Sequence, residues 1–179
     1  DLMDEVEQFV MRLLSRQKIP RYRYRELFRK HLNLDPHTIT LQELQCLSDE
    51  LLDVCGADLD TTDYLQLLMD QKIEPRLPAS CFVYEYPEAQ AALSVVAPDA
   101  AGVPVAQRFE LYVDGMELAN GYFELTDAAE QRARFDGDLA RRRQLGLPAV
   151  PVDEELLAAL EAGLPSCAGV ALGLDRLLM

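Results

Sequence analysis

The segment QRFELYVDGMELANGYFEL, residues 107–125, limits the fold more than any other stretch of the sequence. Two runs rich in aromatic and aliphatic residues meet at Asp114 and Gly115, a dipeptide typical of a tight turn between antiparallel strands. Upstream, CFVYEYP alternates in the same way and predicts another strand. The second half of the chain must therefore contain an antiparallel sheet.

Helices are predicted on both sides of these strands. Apolar residues recur every three or four positions from Met3 to Leu14, and RYRYRELFRKHLNLD, TLQELQCLSDELLDVCG and TTDYLQLLMDQKIEP have similar spacing. TDAAEQRARFDGDLARRRQLG and DEELLAALEAG predict two later helices, and CAGVALGLDRLLM predicts a short strand running into a helix. We therefore predict an α+β fold, with a mainly helical region at residues 1–77 and an antiparallel sheet with flanking helices at residues 78–179.

Particular residues are expected to end these helices. No capping residue is evident before the first helix, and RYRYRELFRK is expected to form a surface helix. The expected N-terminal caps are Thr61 or Thr62, Thr126 or Asp127, and Asp153. The expected C-terminal stops are Gly56, Pro75, Gly146 and Gly163.

Charge and composition narrow the choice of partners. The chain has 31 acidic and 17 basic residues and a formal charge of −14, so its average surface repels phosphate backbones. No run approaches the roughly 20 apolar residues of a membrane span, and no basic-then-apolar leader is evident. We therefore expect a soluble, cytoplasmic protein without a membrane partner. The 4 cysteines form no C-x-x-C pair, which favours buried free thiols over disulfides or a zinc site.

The hairpin carries carboxylates where a strand would ordinarily bury apolar residues. If the turn has two residues, Tyr112 pairs with Glu117, and Glu110 lies diagonally beside Glu117 on the same face. Like charges so close together are destabilising unless a cation lies between them, and oxygen ligands suit magnesium. The alternative is a solvated outer face of the sheet.

The next polar residues of the second strand are Asn120, Tyr122 and Glu124. With a two-residue turn and ideal alternation they face the opposite side, whereas a three-residue turn would join them to Glu110 and expel Glu117. All of these side chains can share one pocket only if the second strand carries a β-bulge, which Gly121 would tolerate.

Small residues dominate the last predicted strand. Gly169, Ala171 and Gly173 occupy alternate positions, so one face of the strand is open either to a flat ligand or to a tightly packed neighbour. Arg176 follows in the first turn of a helix, where the helix dipole does not favour a cation. Arg176 is therefore expected to contact either an anionic ligand or a carboxylate of the protein.

Together these stretches resemble a known family. RFELYVDGMELANGYFELTDAAEQRARF, followed by GLPSCAGVALGLDRLLM, resembles the C-terminal half of the catalytic domain of class II aminoacyl-tRNA synthetases of the lysyl type. The second piece resembles motif 3 of that class, small-x-Gly-x-Gly-x-Asp-Arg. The resemblance is close over residues 81–179 and looser before them. Within the lysyl branch, the segments ELANGYFELTDA and CAGVALGLDRLLM are most similar to the paralogs that attach β-lysine to a lysine of elongation factor P.

The resemblance implies how ATP is held. Glu110 and Glu117 match the positions that hold Mg²⁺ and the ATP phosphates, and Leu118 matches a residue on the adenosine side. Gly173 matches the backbone on which adenine and ribose lie. Arg176 matches the motif 3 arginine that clamps the nucleotide, the catalytic residue expected here.

The resemblance also implies an amino-acid pocket. Asn120 and Tyr122 match residues that face this pocket, and Glu124 matches the acid that receives the amino group of a lysine-type substrate. Position 171 is ordinarily glycine in lysyl-tRNA synthetases, whereas Ala171 agrees with the protein-modifying paralogs. A methyl-sized change in such a pocket shifts preference by roughly 1–3 kcal/mol.

These implications leave the acceptor and the activity of the chain open. The predicted function is ATP-dependent activation of lysine or β-lysine and its transfer to elongation factor P, and the alternative acceptor is tRNA-Lys. Motif 1, which builds the family's dimer, and motif 2, which supplies another arginine, are not evident in the sequence. Helical patterns also run to both ends of the chain. We therefore expect a piece of a longer, homodimeric protein, inactive as it stands.

Overall fold

A mixed sheet organises the computed structural model, which describes residues 1–15, 18–52 and 59–179. Its strands are β1 (Arg21–Arg23), β2 (Ser80–Pro87), β3 (Val96–Pro98), β4 (Pro104–Val113), β5 (Met116–Phe123) and β6 (Ala168–Leu172). The order across the sheet is β1-β2-β4-β5-β6, and β3 pairs with β4 beside this path. The β1–β2 pairing is parallel and the other pairings are antiparallel. The predicted α+β class is confirmed, whereas β1 and β3 are not anticipated from the sequence.

Helices flank the sheet in the order that the periodicity predicts. They are α1 (Leu2–Leu14), α2 (Tyr24–Leu32), α3 (Leu41–Leu51), α4 (Thr61–Leu68), α5 (Ala128–Gln144), α6 (Glu154–Ala162) and α7 (Leu174–Leu178). A π-helical turn (Met69–Ile73) and a 3₁₀ turn (Glu74–Arg76) continue α4, and a second 3₁₀ turn (Glu88–Gln90) follows β2. None of the described helices is long and apolar enough to cross a membrane.

The sheet has an apolar cluster on each face. On one face, α2, α3 and α4 pack against Val83, Tyr86 and Tyr112. On the other face, α1 packs against Phe82 and Leu111. Phe82 and Val83 are neighbours in β2 and lie in different clusters, because successive strand residues point to opposite faces. The helices before residue 77 therefore share a core with the sheet.

Three of the predicted helix ends are confirmed. Asp127 and Asp153 cap α5 and α6 by accepting hydrogen bonds of 2.9 Å from main-chain N–H groups in the first turn. Gly163 follows the last residue of α6, with a positive φ of 102° that favours glycine. Gly146, two residues beyond the end of α5, has a φ of 65°. The predicted stop at Gly56 and the thiol of Cys55 lie outside the described residues.

Other helix ends differ from the prediction. Asp1 caps α1, which the sequence leaves uncapped, and Asp60 rather than Thr61 or Thr62 caps α4. Both aspartates accept a hydrogen bond from the N–H of the third helical residue, and a carboxylate there also complements the helix dipole. Pro75 lies inside the 3₁₀ turn and does not end a regular helix.

The predicted surface helix RYRYRELFRK is also wrong in part. Its first three residues form β1, which pairs with β2, and the helix begins only at Tyr24. Tyr24 and Phe28 stack with ring centroids 4.5 Å apart and are almost completely buried. The helix α2 is therefore a core helix with a basic outer side. The many arginines of the segment make its apolar face hard to recognise in the sequence.

Candidate functional site

A β-bulge in β5 determines which side chains of the hairpin converge. The turn between β4 and β5 has two residues, and Tyr112 pairs with Glu117, as the first of the predicted registers requires. The register then shifts by one residue, because Leu118 is inserted in β5, and Glu110 pairs with Asn120. The bulge that the sequence makes necessary is therefore present.

The bulge lies at Leu118 and not at Gly121. The Leu118 side chain is 4% exposed and packs in the α1 cluster, and its main-chain carbonyl accepts a 2.9 Å hydrogen bond from Gly173 N. The side chain thus lies on the opposite side of the sheet from the polar face, and its expected place on the adenosine side stays a prediction. Gly121 leaves room for the ring of Phe109, with which a β-carbon would collide.

The shift places the polar residues of both strands on one face of the sheet. This polar face consists of Arg108, Glu110, Tyr112, Glu117, Asn120, Tyr122 and Glu124. In the neighbouring strand, Gly169 pairs with Tyr122 and Ala171 pairs with Asn120. The small residues of β6 therefore form the floor beside the polar residues of β5.

Glu110 is the most constrained carboxylate of the polar face. It is 7% exposed, and one of its oxygens accepts hydrogen bonds of 2.6 Å from the hydroxyls of Tyr86 and Tyr112. Its other oxygen accepts from the guanidinium of Arg108 and, at 3.4 Å, from the amide of Asn120. A carboxylate has about four acceptor positions. The protein itself therefore supplies a full set of donors to Glu110.

Arg108 organises the same region. Its guanidinium lies 4.7 Å from the ring centroid of Tyr86 and 5.7 Å from that of Tyr122, and it also donates to Asn120 Oδ1 at 3.1 Å. Burial alone would lower the pKa of Arg108, but the negative charge of Glu110 raises it above its usual value. Arg108 is thus held as a cation between two aromatic rings.

Glu117 differs from Glu110 in being accessible. Its side chain is 38% exposed, and its carboxylate lies 3.7 Å from the guanidinium of Arg176. Burial and the charge of Glu110 raise the pKa of Glu117, while Arg176 acts in the opposite direction. A further cation near Glu117 would offset this repulsion.

These carboxylates differ in their suitability for Mg²⁺. Within the described part of the chain, no three or more His, Cys, Asp or Glu residues are grouped to hold a metal ion by themselves. Magnesium needs only one or two carboxylates when it also binds phosphates and water. Glu117 fits such a role. Glu110 is better suited to act as a negative charge near the metal, because direct binding would displace one of the four donors that its carboxylate now has.

Glu124 ends the polar face without a partner. Its main-chain N–H donates to Cys167 O at 3.0 Å, but no side chain among the described residues binds its carboxylate. Burial raises the pKa of Glu124. The carboxylate lies against Gly169, where a β-carbon would touch one of its oxygens. Glu124 is thus a partly desolvated acid available to a cationic ligand.

Arg176 and Gly173 lie at the other end of the polar face. Arg176 donates to the main-chain carbonyl of Glu117 and remains half-exposed. The alkyl part of Arg176 lies over Gly173, where a β-carbon would be 3.4 Å from Arg176 Cδ. The structure therefore brings together Glu117, Gly173 and Arg176, the residues that the resemblance assigns to ATP.

Four contributors were not singled out from the sequence: Tyr86, Arg108, Tyr112 and Glu74. Arg108 and Tyr112 are two residues from Glu110 in the same strand, so strand alternation could have identified them. Glu74 lies in the 3₁₀ turn, and its carboxylate is 3.0 Å from the Tyr112 hydroxyl. No local sequence signal connects Glu74 to a strand 38 residues away.

The polar face is a surface of the sheet and not an enclosed chamber. A cavity of about 330 Å³ borders Arg108 and Tyr122, but it extends toward the start of α1, and neither Glu117 nor Glu124 lines it. A ligand bound by Glu117 and Glu124 would therefore lie across the open face of β5 and β6.

Comparisons with known proteins find a matching family and similar relatives. Residues 1–179 match the family model for class II tRNA synthetases (D, K and N). The chain is 41% identical over 182 residues to the elongation factor P–(R)-β-lysine ligase of Klebsiella pneumoniae (strain 342) and 44% identical to that of Pseudoalteromonas translucida. These alignments cover 99% of this chain and 55% and 56% of the two relatives. The chain therefore spans about half the length of the curated relatives that it matches.

Proposed function

The chain belongs to the class II tRNA synthetase family (D, K and N), and we propose that the protein carrying it activates a lysine-type amino acid with ATP and transfers it to elongation factor P. The amino acid and the acceptor come from the names of relatives that are 41–44% identical. The observation that carries the proposal is the bulge at Leu118, because it assembles Glu117 and Glu124 on one face.

The ATP part of the site is proposed to lie between β5 and α7. Glu117 would face the phosphates, and the backbone at Leu118 and Gly173 would lie beneath the nucleoside. Arg176, half-exposed and already oriented by the Glu117 carbonyl, would clamp the nucleotide from the other side. When bound, Mg²⁺ would offset charge on the phosphates, with Glu117 as its direct ligand and Glu110 as the adjacent charge.

The amino-acid part is proposed to lie over β6. The carboxylate of Glu124, which no described side chain binds, would receive the side-chain ammonium, a charge-assisted contact in a partly desolvated place. Asn120 and Tyr122 would line the pocket, and Ala171 would form its floor. Arg108 and Glu110 hold Asn120 in place by hydrogen bonds.

Activation in such a site depends mainly on positioning. The carboxylate of the amino acid attacks the α-phosphorus of ATP, an aminoacyl adenylate forms, and pyrophosphate leaves. The protein holds the two substrates in line and supplies positive charge from Arg176, which together lower the barrier. An acceptor amine then attacks the activated carbonyl, and AMP leaves. None of the proposed roles requires a covalent nucleophile from the protein.

The acceptor is tested by a transfer assay with the complete natural protein that carries this sequence. Labelled (R)-β-lysine and α-lysine are each incubated with ATP, Mg²⁺ and either elongation factor P or tRNA-Lys. We expect label on elongation factor P, none when its acceptor lysine is replaced by arginine, and a strong loss in Arg176→Ala. Label on tRNA-Lys alone would favour the alternative acceptor. Cytoplasmic location and homodimer formation remain predictions.

A further inference from the structure

Gly169, in β6, lies directly beside the Glu124 carboxylate. A β-carbon built on Gly169 would touch Glu124 Oε1, and the next nearest atom, Glu124 Cδ, would be 3.6 Å away. Apart from Gly169 itself and its two neighbours in the chain, no other atom of the described residues lies within 4 Å of that β-carbon position. The space beside Gly169 is therefore filled by this one carboxylate.

The backbone itself does not require glycine at position 169. Gly169 lies inside β6 and pairs with Tyr122, and it is not among the glycines with positive φ. An alanine could adopt this extended conformation. The requirement for a small residue therefore comes from Glu124 and not from the path of the chain.

Gly121 provides a contrast on the neighbouring strand. A β-carbon there would collide with three atoms of the Phe109 ring, which packs edge-on against Phe82 at 5.7 Å. A buried ring cannot move without disturbing the core. The end of a glutamate side chain can rotate away, so alanine at position 169 would displace Glu124 at little cost in stability.

We propose that Gly169 is a specificity-determining position, which acts by letting the Glu124 carboxylate lie close to β6, where it meets the cationic end of the amino-acid substrate. This inference rests on the proposed function, since it assigns the cation to a lysine-type substrate. Gly169 acts through Glu124 and is a positioning residue. It makes no separate contribution to ATP binding.

The first test compares Gly169→Ala with Gly137→Ala in the complete natural protein. Gly137 lies in α5, and a β-carbon added there would meet no described atom within 4 Å apart from its chain neighbours and the nearby backbone of its own helix, so it is a control for the same chemical change. We expect Gly169→Ala to raise KM for lysine or (R)-β-lysine in ATP–pyrophosphate exchange by about 10- to 100-fold, the range for one lost charge-assisted hydrogen bond. KM for ATP should match that of the control, and the unfolding temperature should stay close to that of the wild type, because alanine in the helix interior at position 137 itself stabilises the control. An unchanged amino-acid KM would overturn the proposal.

A double-variant cycle separates action through Glu124 from a direct block of the substrate. Glu124→Asp shortens the side chain by one methylene, which removes the collision with a β-carbon at position 169. In this background we expect Gly169→Ala to add little to the rise in KM. The same additional loss as in the wild-type background would show that the methyl group blocks the substrate itself, which would contradict the proposal.

A measurement without substrate distinguishes failure of the inference from failure of the proposed function. Carboxyl ¹³C NMR of labelled glutamate follows the titration of Glu124, assigned with Glu124→Gln. We expect Gly169→Ala to lower the midpoint toward the exposed value of about 4.3, while Gly137→Ala leaves it unchanged. If the wild-type protein does not activate lysine, the proposed function is wrong. An unchanged midpoint would instead show that Gly169 does not position Glu124.

Discussion

The polar face contains glutamates in very different environments. Glu110 is buried and receives hydrogen bonds from two tyrosines, an arginine and an asparagine. Glu124 is partly buried and receives none from the described side chains. A buried acid with full hydrogen bonding stabilises the site, whereas a partly desolvated acid without partners is costly for the fold and available to a ligand.

The pH dependence of stability should reveal this cost at Glu124. Burial raises its pKa in the folded protein, so the folded state binds the proton more tightly than the unfolded chain. This contribution to stability is fully present below the unfolded pKa of about 4.3 and is lost as pH rises through the higher folded pKa. Glutamine mimics the protonated acid. We therefore expect Glu124→Gln to match the wild type near pH 4 and to be more stable at pH 7.

Urea unfolding at the two pH values measures this difference, with Glu161→Gln as a control on the exposed surface of α6, where no described side chain pairs with the carboxylate. A Glu124→Gln variant less stable than the wild type at pH 7 would show that the carboxylate has a favourable partner in the folded protein.

At the residue scale, the sequence predicts which acidic residues belong to the site better than it predicts the burial and hydrogen bonding of each one. Glu110, Glu117 and Glu124 stand out because strands rarely carry so many acids. The sequence does not show that Glu110 is saturated by donors, because two of them, Tyr86 and Arg108, meet only after β2 and β4 pair. The burial of the Leu118 side chain likewise depends on the bulge, because the inserted residue turns this side chain toward α1.

At the scale of elements, a hydrogen-bonded chain joins the 3₁₀ turn after α4 to β4. The Tyr112 hydroxyl lies 2.6 Å from Glu110 and 3.0 Å from Glu74, although it has one proton to donate. Burial raises the pKa of Glu74, and the charges of Asp70, Glu110 and Glu117 act in the same direction. A proton retained by Glu74 would complete both hydrogen bonds.

Removing this hydroxyl should weaken the connection. Tyr112→Phe removes the hydroxyl that lies between Glu110 and Glu74 and takes one hydrogen bond from each of them, at a cost of about 1–3 kcal/mol in the free energy of unfolding. Tyr64→Phe is a suitable control, because Tyr64 is also buried and its hydroxyl has no partner among the described residues. Chemical denaturation measures both variants. Equal losses in the two would mean that the Tyr112 hydroxyl has no special role.

Helices, strands and turns were predictable where the signal comes from residues close together in the sequence. The Asp114-Gly115 turn and the order of helices and strands follow from such signals. The position of the bulge does not, since Leu118 is an ordinary strand residue whose insertion is set by pairing with β4 and β6. The strand β1 is missed because it has only three residues, two of them arginines, and such a segment forms a strand only when β2 lies beside it.

At the scale of the whole molecule, one sheet serves both a structural core and a polar face. Helices α2, α3 and α4 pack on β2 and β4 beside the tyrosines that hold Glu110, and α1 packs on the other face. The division into a helical region and a catalytic half stays a prediction. Family membership follows from the match over residues 1–179. The reaction, the amino acid and the acceptor are proposals, because the chain spans about half the length of its relatives.

The most direct test is ATP–pyrophosphate exchange by the complete natural protein, with (R)-β-lysine or α-lysine as the amino acid. Wild type is compared with Glu124→Gln, which keeps the shape of the side chain and removes its charge. We expect exchange that depends on a lysine-type amino acid, with an amino-acid KM raised by about 10- to 100-fold in the variant and an unchanged KM for ATP. An equal rise in both constants, or exchange indifferent to Glu124, would contradict the placement of the amino acid on this face.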